Sequence, residues 1–180
     1  MRSAAAVTAA LLAIPLLLPA PAQAAPTGDR LAIGDSVMLG AAPQLSSRGF
    51  RVDATESRQS YSGPALLRAK GARLPGAVVV HLGTNGSFPL DVCRRIVRSA
   101  GPDRQVFLVT VHVPRSWQDA NNAVIAKCDR SFAPGRVTVI DWNAAASRNR
   151  SWLYSDGIHL TPSGARGFAR LIDRAVDASR

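Results

Sequence analysis

Three short polar clusters contain residue types that could together cleave an ester. Ser36 follows one apolar run, and Asn85, placed between two glycines, follows another. Asp156 and His159 precede the last apolar stretch. A serine hydroxyl becomes a nucleophile when a histidine base lies within hydrogen-bond reach and a carboxylate orients that base. A side-chain amide and the free N–H groups of a helix N-terminus could stabilise the resulting oxyanion. The four residues are therefore candidates for acyl transfer.

Each cluster also has a purely structural interpretation. Ser36 could serve only as a helix N-cap, and Asn85 could be a turn residue that tolerates the left-handed conformation. The pair Asp156 and His159, taken in isolation, could be a surface turn with a capping aspartate. Spacing alone does not decide between these interpretations and catalysis.

Two further histidines and two tryptophans lie where they could contribute to the same site. His81 and His112 are near strand ends and compete with His159 for the role of base, although His81 suits a packed position within its strand. Trp117 and Trp142 could form a wall that faces a sugar, or they could be core aromatics.

Short apolar runs alternate with amphipathic stretches along the chain. Because the runs are almost entirely apolar, they predict a parallel sheet covered on both faces. The expected fold is an α/β class, three-layer α/β/α sandwich with a flavodoxin-like sheet of about five strands. Active sites of such sheets lie beyond the carboxyl ends of the strands, and the polar clusters follow predicted strands one, three and five. The predicted strands are 31–33, 50–54, 77–82, 106–113 and 137–140, and the predicted helices are 36–47, 62–71, 90–100, 117–128 and 163–178.

Residues 1–24 have the layout of a secretory signal peptide. One arginine precedes an apolar stretch at about residues 4–18, and the small-residue site Ala22-Gln23-Ala24 follows. That stretch contains Pro15 and is shorter than the roughly 20 residues of a membrane-spanning helix. We expect Sec-type secretion, no stable membrane span after signal removal, and one catalytic domain over residues 25–180, a size that suits a single core.

Cys93 and Cys128 are the two cysteines of the chain. In an oxidising compartment a disulfide between them would close a loop of about 35 residues and contribute about 3 kcal/mol. Neither has a histidine neighbour or a CxxC partner, which favours the disulfide over a thiol nucleophile or a metal site. No metal ligand set is predicted.

The chain of 180 residues has a formal charge of +10, with 22 basic against 12 acidic residues. Lys70 and Lys127 are the only lysines, and the arginines are spread without a run. Nucleic-acid binding usually requires a basic cluster or a recognisable module, so no nucleic-acid partner is expected. An anionic cell envelope is the expected partner of a basic surface, and biased amino-acid usage explains the charge equally well.

The motifs, in this order, resemble those of the SGNH (GDSL) hydrolase family over roughly residues 30–172. More narrowly, they resemble the extracytoplasmic SGNH domain of acyltransferase-3-linked peptidoglycan and polysaccharide O-acetyltransferases. The segments that carry the resemblance are 33–40 (IGDSVMLG), 53–54 (DA) with 57–59 (SRQ), 79–86 (VVHLGTNG), 113–117 (VPRSW) with Asn121 or Asn122, 140–142 (IDW) and 156–160 (DGIHL).

The resemblance implies a role for each residue of the polar clusters. It makes Ser36 the nucleophile, His159 the general base and Asp156 the carboxylate that orients the base. Asn85 and the Ser36 N–H would form the oxyanion hole. Asp35, although part of the first motif, would make local hydrogen bonds instead of joining the triad.

The third oxyanion donor and the substrate contacts are less clearly marked by the motifs. The family normally supplies a glycine N–H in its second motif, for which Gly63 is one candidate and the segment Ser57-Arg58-Gln59 another. Trp117 and Arg58 are candidates for contacts with substrate.

The expected function is a secreted serine esterase that hydrolyses short acyl esters, O-acetyl groups on cell-wall or other polysaccharides in particular. It would act as a monomer without a cofactor, on an acylated carbohydrate or a small ester. The resembled proteins carry a membrane domain that supplies acyl groups and this sequence has none, which favours hydrolysis. Two alternatives remain: an O-acyltransferase that uses the same triad on a sugar hydroxyl, and a catalytically inactive envelope-binding domain.

Overall fold

The structure is a computed structural model that describes Met1 and residues 30–179. Apart from Met1, the predicted signal peptide lies outside the described residues. The strands are β1 (Arg30–Gly34), β2 (Phe50–Ala54), β3 (Ala77–His81), β4 (Gln105–Val109) and β5 (Val137–Ile140). These five parallel strands form one sheet in the order β2-β1-β3-β4-β5. This is the strand order of flavodoxin-like folds, as the sequence predicted.

Helices cover both faces of the sheet and enclose one apolar cluster on each side. The α-helices are α1 (Ser36–Gly40), α2 (Ala42–Ser46), α3 (Gly63–Lys70), α4 (Leu90–Ser99), α5 (Gln118–Asp129), α6 (Trp142–Arg148) and α7 (Pro162–Asp177). Phe107 and Trp142 are in the cluster beneath α2, α6 and α7, and Ile96 and Leu108 are in the cluster beneath α3, α4 and α5. All four side chains are buried.

Three elements differ from the sequence prediction. The helix expected over 36–47 is divided at Ala41, because Pro43 has no N–H to continue the helical hydrogen bonds. Strand β4 ends at Val109 and not at Val113, since the Asn122 side chain accepts a hydrogen bond from the Val111 N–H and donates one to the Val111 carbonyl. Helix α6 was not predicted, and the Asp141 side chain caps it by accepting from the Ala144 N–H.

Successive strands are added to opposite sides of β1: β2 lies on one side, and β3, β4 and β5 lie on the other. The chain leaves β1 toward one side of the sheet, while the strands after β3 are added on the other side. Connections that diverge in this way leave a crevice at the carboxyl ends of the two strands, which is where α/β sheets bind ligands. The polar residues after β1 and β3 therefore face each other across that crevice.

Cys93 on α4 and Cys128 on α5 form a disulfide, as predicted. The bond joins neighbouring helices on one face of the sheet. In the part of the chain that the structure describes, no helix combines the length and the apolar character needed to cross a bilayer. Over the same residues, no group of three or more His, Cys, Asp and Glu side chains is arranged to hold a metal ion.

Candidate active site

Ser36 is the first residue of α1, and Asp35 alone separates it from the carboxyl end of β1. The preceding residue, Asp35, caps the helix by accepting a hydrogen bond of 3.1 Å from the Val37 N–H. Gly34 packs against the Met38 side chain so closely that a Cβ at this position would collide with it. The tight strand-to-helix turn thus holds the Ser36 hydroxyl at the end of the sheet.

His159 and Asp156 lie on the loop before α7 and extend toward Ser36. The distance from His159 Nε2 to Ser36 Oγ is 3.1 Å, and His159 Nδ1 lies 2.6 Å from Asp156 Oδ2. An ionised carboxylate only accepts hydrogen bonds, so Nδ1 carries the proton and Nε2 is the acceptor for the serine hydroxyl. The structure thus brings the three predicted residues into a hydrogen-bonded series.

The loop itself holds Asp156 in place. Its Oδ1 accepts hydrogen bonds from the Ile158 N–H at 2.8 Å and from the His159 N–H at 3.0 Å. Partial burial raises the pKa of Asp156, but hydrogen bonds from the His159 ring and from these two N–H groups lower the pKa below its usual value. Asp156 is therefore ionised at neutral pH, as an orienting carboxylate must be.

A buried, hydrogen-bonded pair of side chains lies beneath the nucleophile. Asp35 is 0% exposed and His81 is 1% exposed, and His81 Nδ1 is 3.3 Å from Asp35 Oδ1. Burial raises the pKa of Asp35, but the electrostatic and hydrogen-bonding effects of His81, together with hydrogen bonds from Thr84 and the Val37 N–H, lower the pKa further, so the net pKa is below the usual value. His81 also packs edge-on against Phe168, with ring centroids 5.3 Å apart. The His81 side chain therefore contacts Asp35 and the core residue Phe168 instead of Ser36.

Asn85 follows β3 and lies on the opposite side of the crevice from α1. Its side-chain amide donates a 3.3 Å hydrogen bond to the Arg58 carbonyl, which leaves its second N–H free. The loop around it is held by the buried Asn121 of α5, which donates to the carbonyls of Gly83 and Gly86 at 2.9 and 2.8 Å. Asn121 also accepts from the Phe88 N–H at 2.8 Å. One buried amide thus sets the position of Asn85.

Two cavities meet at Ser36, Asn85 and His159, which line both. The larger has a volume of about 500 Å³, and the smaller of about 260 Å³. The other residues of the larger cavity are Leu39, Gly40, Glu56 and Ser57, and those of the smaller are Thr84, Val113, Arg115, Trp117 and Ile158. Trp117, a candidate for substrate contact from the sequence, therefore lines the smaller cavity beside Ser36.

The structure places Gly63 and Arg58 away from the cavities. The Gly63 N–H already donates to the Ser60 carbonyl, and a Cβ on Gly63 would meet Ile96 in the core, so its N–H is not available to an oxyanion. The Arg58 guanidinium binds Asp53 Oδ1 at 2.8 Å and leaves only its backbone carbonyl near the site. Gly63 is therefore not positioned as an oxyanion donor, and Arg58 is not positioned for the substrate contact predicted from the sequence.

Ser57, from the alternative segment for the third donor, lines the larger cavity. Its φ of 58° is the only positive φ of a non-glycine residue within 30–179. Left-handed backbone of this kind costs a non-glycine residue energy and is concentrated at functional sites.

The remaining aromatic candidates are separated from the nucleophile. His112 Nδ1 is 2.8 Å from Asn143 Oδ1, and the His112 side chain lines neither cavity. Trp142 is 1% exposed and stacks on Trp152 in the core. Of the three histidines, only His159 reaches Ser36.

Several lining residues were not singled out from the sequence, Leu39, Glu56 and Thr84 among them. Glu56 follows β2, and Arg115, quoted only as part of a motif, follows β4. The strand-end rule that located Ser36 was applied to strands one, three and five; its application to strands two and four would have identified both residues.

No protein-family model matches the chain. YrhL of Bacillus subtilis is 33% identical over 150 residues, which are 81% of this chain and 23% of YrhL. The peptidoglycan O-acetyltransferase OatA of Listeria monocytogenes is 32% identical over 154 residues, which are 82% of this chain and 24% of that protein. The chain thus spans about a quarter of the length of these relatives.

Solved structures share the fold at lower sequence identity. The C-terminal catalytic domain of Streptococcus pneumoniae OatA matches with a TM-score of 0.73 and 23% identity, over 83% of this chain and 93% of that domain. A GDSL-like lipase from Bacteroides thetaiotaomicron matches with a TM-score of 0.67 and 19% identity, over 88% of this chain and 93% of the lipase. The chain therefore shares its fold with an O-acetyltransferase catalytic domain and with a GDSL-like lipase.

Proposed function

Because the chain has the SGNH (GDSL) hydrolase fold and is homologous to peptidoglycan O-acetyltransferases, we propose that it is a serine enzyme that cleaves O-acetyl esters of cell-wall or related polysaccharides. The observation that carries the proposal is the series Ser36, His159 and Asp156, with separations of 3.1 and 2.6 Å. The two cavities beside Ser36 give an ester access to this series.

The reaction begins with proton transfer and attack. His159 Nε2 accepts the proton of the Ser36 hydroxyl while Oγ bonds to the ester carbonyl carbon. The carbonyl oxygen becomes an oxyanion, and Asp156 stabilises the imidazolium ion that forms on His159. His159 then gives its proton to the alcohol oxygen, the ester C–O bond breaks, and the acetyl group remains on Ser36.

The oxyanion needs hydrogen-bond donors fixed in advance. The free N–H of Asn85 Nδ2 and the Ser36 backbone N–H at the start of α1 are two of them. For the third we propose the Ser57 backbone N–H. Ser57 lines the cavity and has a left-handed backbone, whereas the Gly63 N–H is already bonded to the Ser60 carbonyl.

Water completes the hydrolysis. His159 accepts a proton from a water molecule, whose oxygen attacks the acetyl carbonyl carbon, and the resulting intermediate releases acetate as Ser36 recovers its proton. If a sugar hydroxyl takes the place of water, the same steps transfer the acetyl group to that sugar. Transfer is a second candidate activity, because the relatives include the O-acetyltransferases OatA of Listeria monocytogenes and Staphylococcus aureus.

The site of action would be extracytoplasmic. The signal-like sequence of residues 1–24 and the disulfide between Cys93 and Cys128 both support secretion, because disulfides persist in oxidising compartments. Under this proposal the acetylated polysaccharide is a component of the cell envelope.

Hydrolysis of 4-nitrophenyl acetate by the purified protein tests the proposal. The wild type is expected to release 4-nitrophenol, and Ser36→Ala, with an unchanged circular dichroism spectrum, to lose at least about 10³-fold in kcat. Ser147→Ala is the matched control, since Ser147 is exposed on α6 and lines neither cavity. Equal rates for the wild type and Ser36→Ala would support the inactive envelope-binding domain instead. Mass spectrometry of chito-oligosaccharides added as acceptors separates transfer from hydrolysis.

A further inference from the structure

The two cavities that meet at Ser36 have different walls. The larger one lies between the end of α1, with Leu39 and Gly40, and the loop after β2, with Glu56. The smaller one lies beneath the loop after β4, which contributes Arg115 and Trp117. The nucleophile therefore has separate spaces on its two sides.

An ester has two halves that need such spaces. When Oγ attacks the carbonyl carbon, the acyl group and the alcohol oxygen extend from that carbon in different directions, and the oxyanion takes a third. With the oxyanion directed to Asn85, to the Ser57 N–H and to the start of α1, the remaining space of the two cavities is available to the acyl group and to the alcohol.

Charge distinguishes the two cavities. The larger cavity has the exposed carboxylate of Glu56 at its wall, and the smaller has the exposed guanidinium of Arg115. Within residues 30–179, no carboxylate lies within 4.0 Å of the Arg115 guanidinium, and its side-chain hydrogen bond goes to the Pro114 carbonyl at 3.1 Å. Arg58, by contrast, is paired with Asp53. An anionic ligand is therefore repelled from the larger cavity and attracted to the smaller.

The indole of Trp117 gives the smaller cavity an apolar wall. Its Nε1 is buried and has no hydrogen-bond partner among the described residues, so the ring surface that lines the cavity is carbon. The partly exposed Ile158 adds further apolar surface, and Val113 is buried behind it. A sugar ring suits this wall, because its C–H face packs on aromatic carbon while its polar substituents point outward. A volume of about 260 Å³ lies below the roughly 300–1,000 Å³ of pockets for drug-sized ligands and suits a single ring.

We infer that the smaller cavity is the subsite for the alcohol half of the ester, that this alcohol is a sugar bearing a carboxylate, and that Arg115 binds the carboxylate while the sugar ring packs on Trp117. The acyl group enters the larger cavity, against Leu39. The inference rests on the proposed acyl transfer at Ser36 and adds to it the chemical class of the alcohol. Arg115 is then a specificity residue.

Binding to the Ser36→Ala protein tests the inference without depending on turnover. The probes are a tetrasaccharide of galacturonic acid and the same tetrasaccharide with every carboxyl group methyl-esterified, which removes the charge, adds one methyl group per residue and leaves the sugar rings unchanged. Titration calorimetry should give about tenfold tighter binding of the charged tetrasaccharide, since a hydrogen-bonded charge pair is worth roughly one decade in affinity or more.

Substitutions at Arg115 assign the preference to that side chain. In the Ser36→Ala background, Arg115→Gln should abolish the preference and Arg115→Lys should keep part of it, because a lysine keeps the charge and loses the bidentate geometry. Arg98→Gln, an exposed arginine on α4 outside both cavities, should leave the preference intact. Equal affinities for the two probes, no binding of either, or a preference that survives Arg115→Gln would overturn the inference. The proposed function fails separately, through absent hydrolysis of 4-nitrophenyl acetate.

Discussion

His159 Nε2 lies 3.1 Å from Ser36 Oγ, although the two residues are 123 positions apart in the chain. Ser36 stands at the end of the first strand and His159 on the loop before the last helix. The parallel sheet brings both to its carboxyl edge, and the Asp156 carboxylate fixes the ring that completes the contact.

The orienting role of Asp156 predicts a specific loss in Asp156→Asn. An amide can donate to His159 Nδ1 and so favour the tautomer with its proton on Nε2, which cannot accept from Ser36. We expect kcat for 4-nitrophenyl acetate to fall by about 10²–10⁴-fold with the fold unchanged. Asp119→Asn, an exposed aspartate in the first turn of α5, is the control and should keep wild-type kcat. Wild-type kcat in Asp156→Asn would contradict the assigned role.

Asn85→Ala tests the oxyanion donor. Removal of one such donor costs about 10²–10³-fold in kcat in serine hydrolases, because the lost hydrogen bond forms fully only in the transition state. KM should therefore change much less than kcat, which steady-state kinetics with 4-nitrophenyl acetate measures. A change confined to KM would show that Asn85 binds the substrate instead of stabilising the oxyanion.

Asn121→Ala should weaken both the fold and the site. The substitution leaves the Gly83 and Gly86 carbonyls and the Phe88 N–H without their partner. Each unsatisfied buried group costs about 1–3 kcal/mol, so urea denaturation should show a loss of at least about 2 kcal/mol. Asn122→Ala is the comparison, because Asn122 holds Val111 instead of the loop that carries Asn85. Under conditions in which both variants are fully folded, kcat should fall further in Asn121→Ala than in Asn122→Ala. The reverse order would refute the role of Asn121 in positioning Asn85.

The buried pair of Asp35 and His81 predicts how stability depends on pH. The pKa of Asp35 is lowered in the folded protein from its ordinary value of 3.8. A lowered folded-state pKa stabilises the protein above the unfolded-state pKa, and that contribution is lost as the pH falls through the folded-state value. Asp35→Asn should therefore reduce the free energy of unfolding at pH 7 by about 3 kcal/mol and should flatten its decline below about pH 4. Urea denaturation of both proteins from acid to neutral pH measures the free energy of unfolding. The same decline of that free energy at low pH in both proteins would exclude this account.

The disulfide predicts a loss of stability that is separate from catalysis. Replacing Cys93 and Cys128 together by alanine should lower the free energy of unfolding by about 3 kcal/mol, as expected for a loop of about 35 residues. Neither cysteine lines the cavities, so kcat of the folded variant should equal that of the wild type. Urea denaturation with and without dithiothreitol provides the measurement: the reductant should destabilise the wild type alone. Strong thiol labelling of the native protein without reductant would be inconsistent with the bond.

Much of the fold and part of the site follow from the sequence alone. The nearly continuous apolar runs predicted a covered parallel sheet, because strands buried on both faces do not alternate in polarity. Residues after the strand ends were expected to share one edge for the same topological reason, and Ser36, Asn85 and His159 do so. The turn at Ser36 depends on local chemistry, because Gly34 has no Cβ to collide with Met38 and the Asp35 carboxylate caps the helix that begins there.

The tertiary structure alone decided which side chains contact one another. Sequence left three histidines as possible bases, and the packing of His81 on Asp35 and of His112 on Asn143 removes two of them from the nucleophile. Gly63 and Arg58 were candidates by motif, yet their hydrogen-bonding groups are engaged elsewhere. Motif spacing specifies the order of residues along the chain, but the direction of a side chain depends on partners from distant segments. That dependence is the physical reason why the walls of the two cavities appeared only in three dimensions.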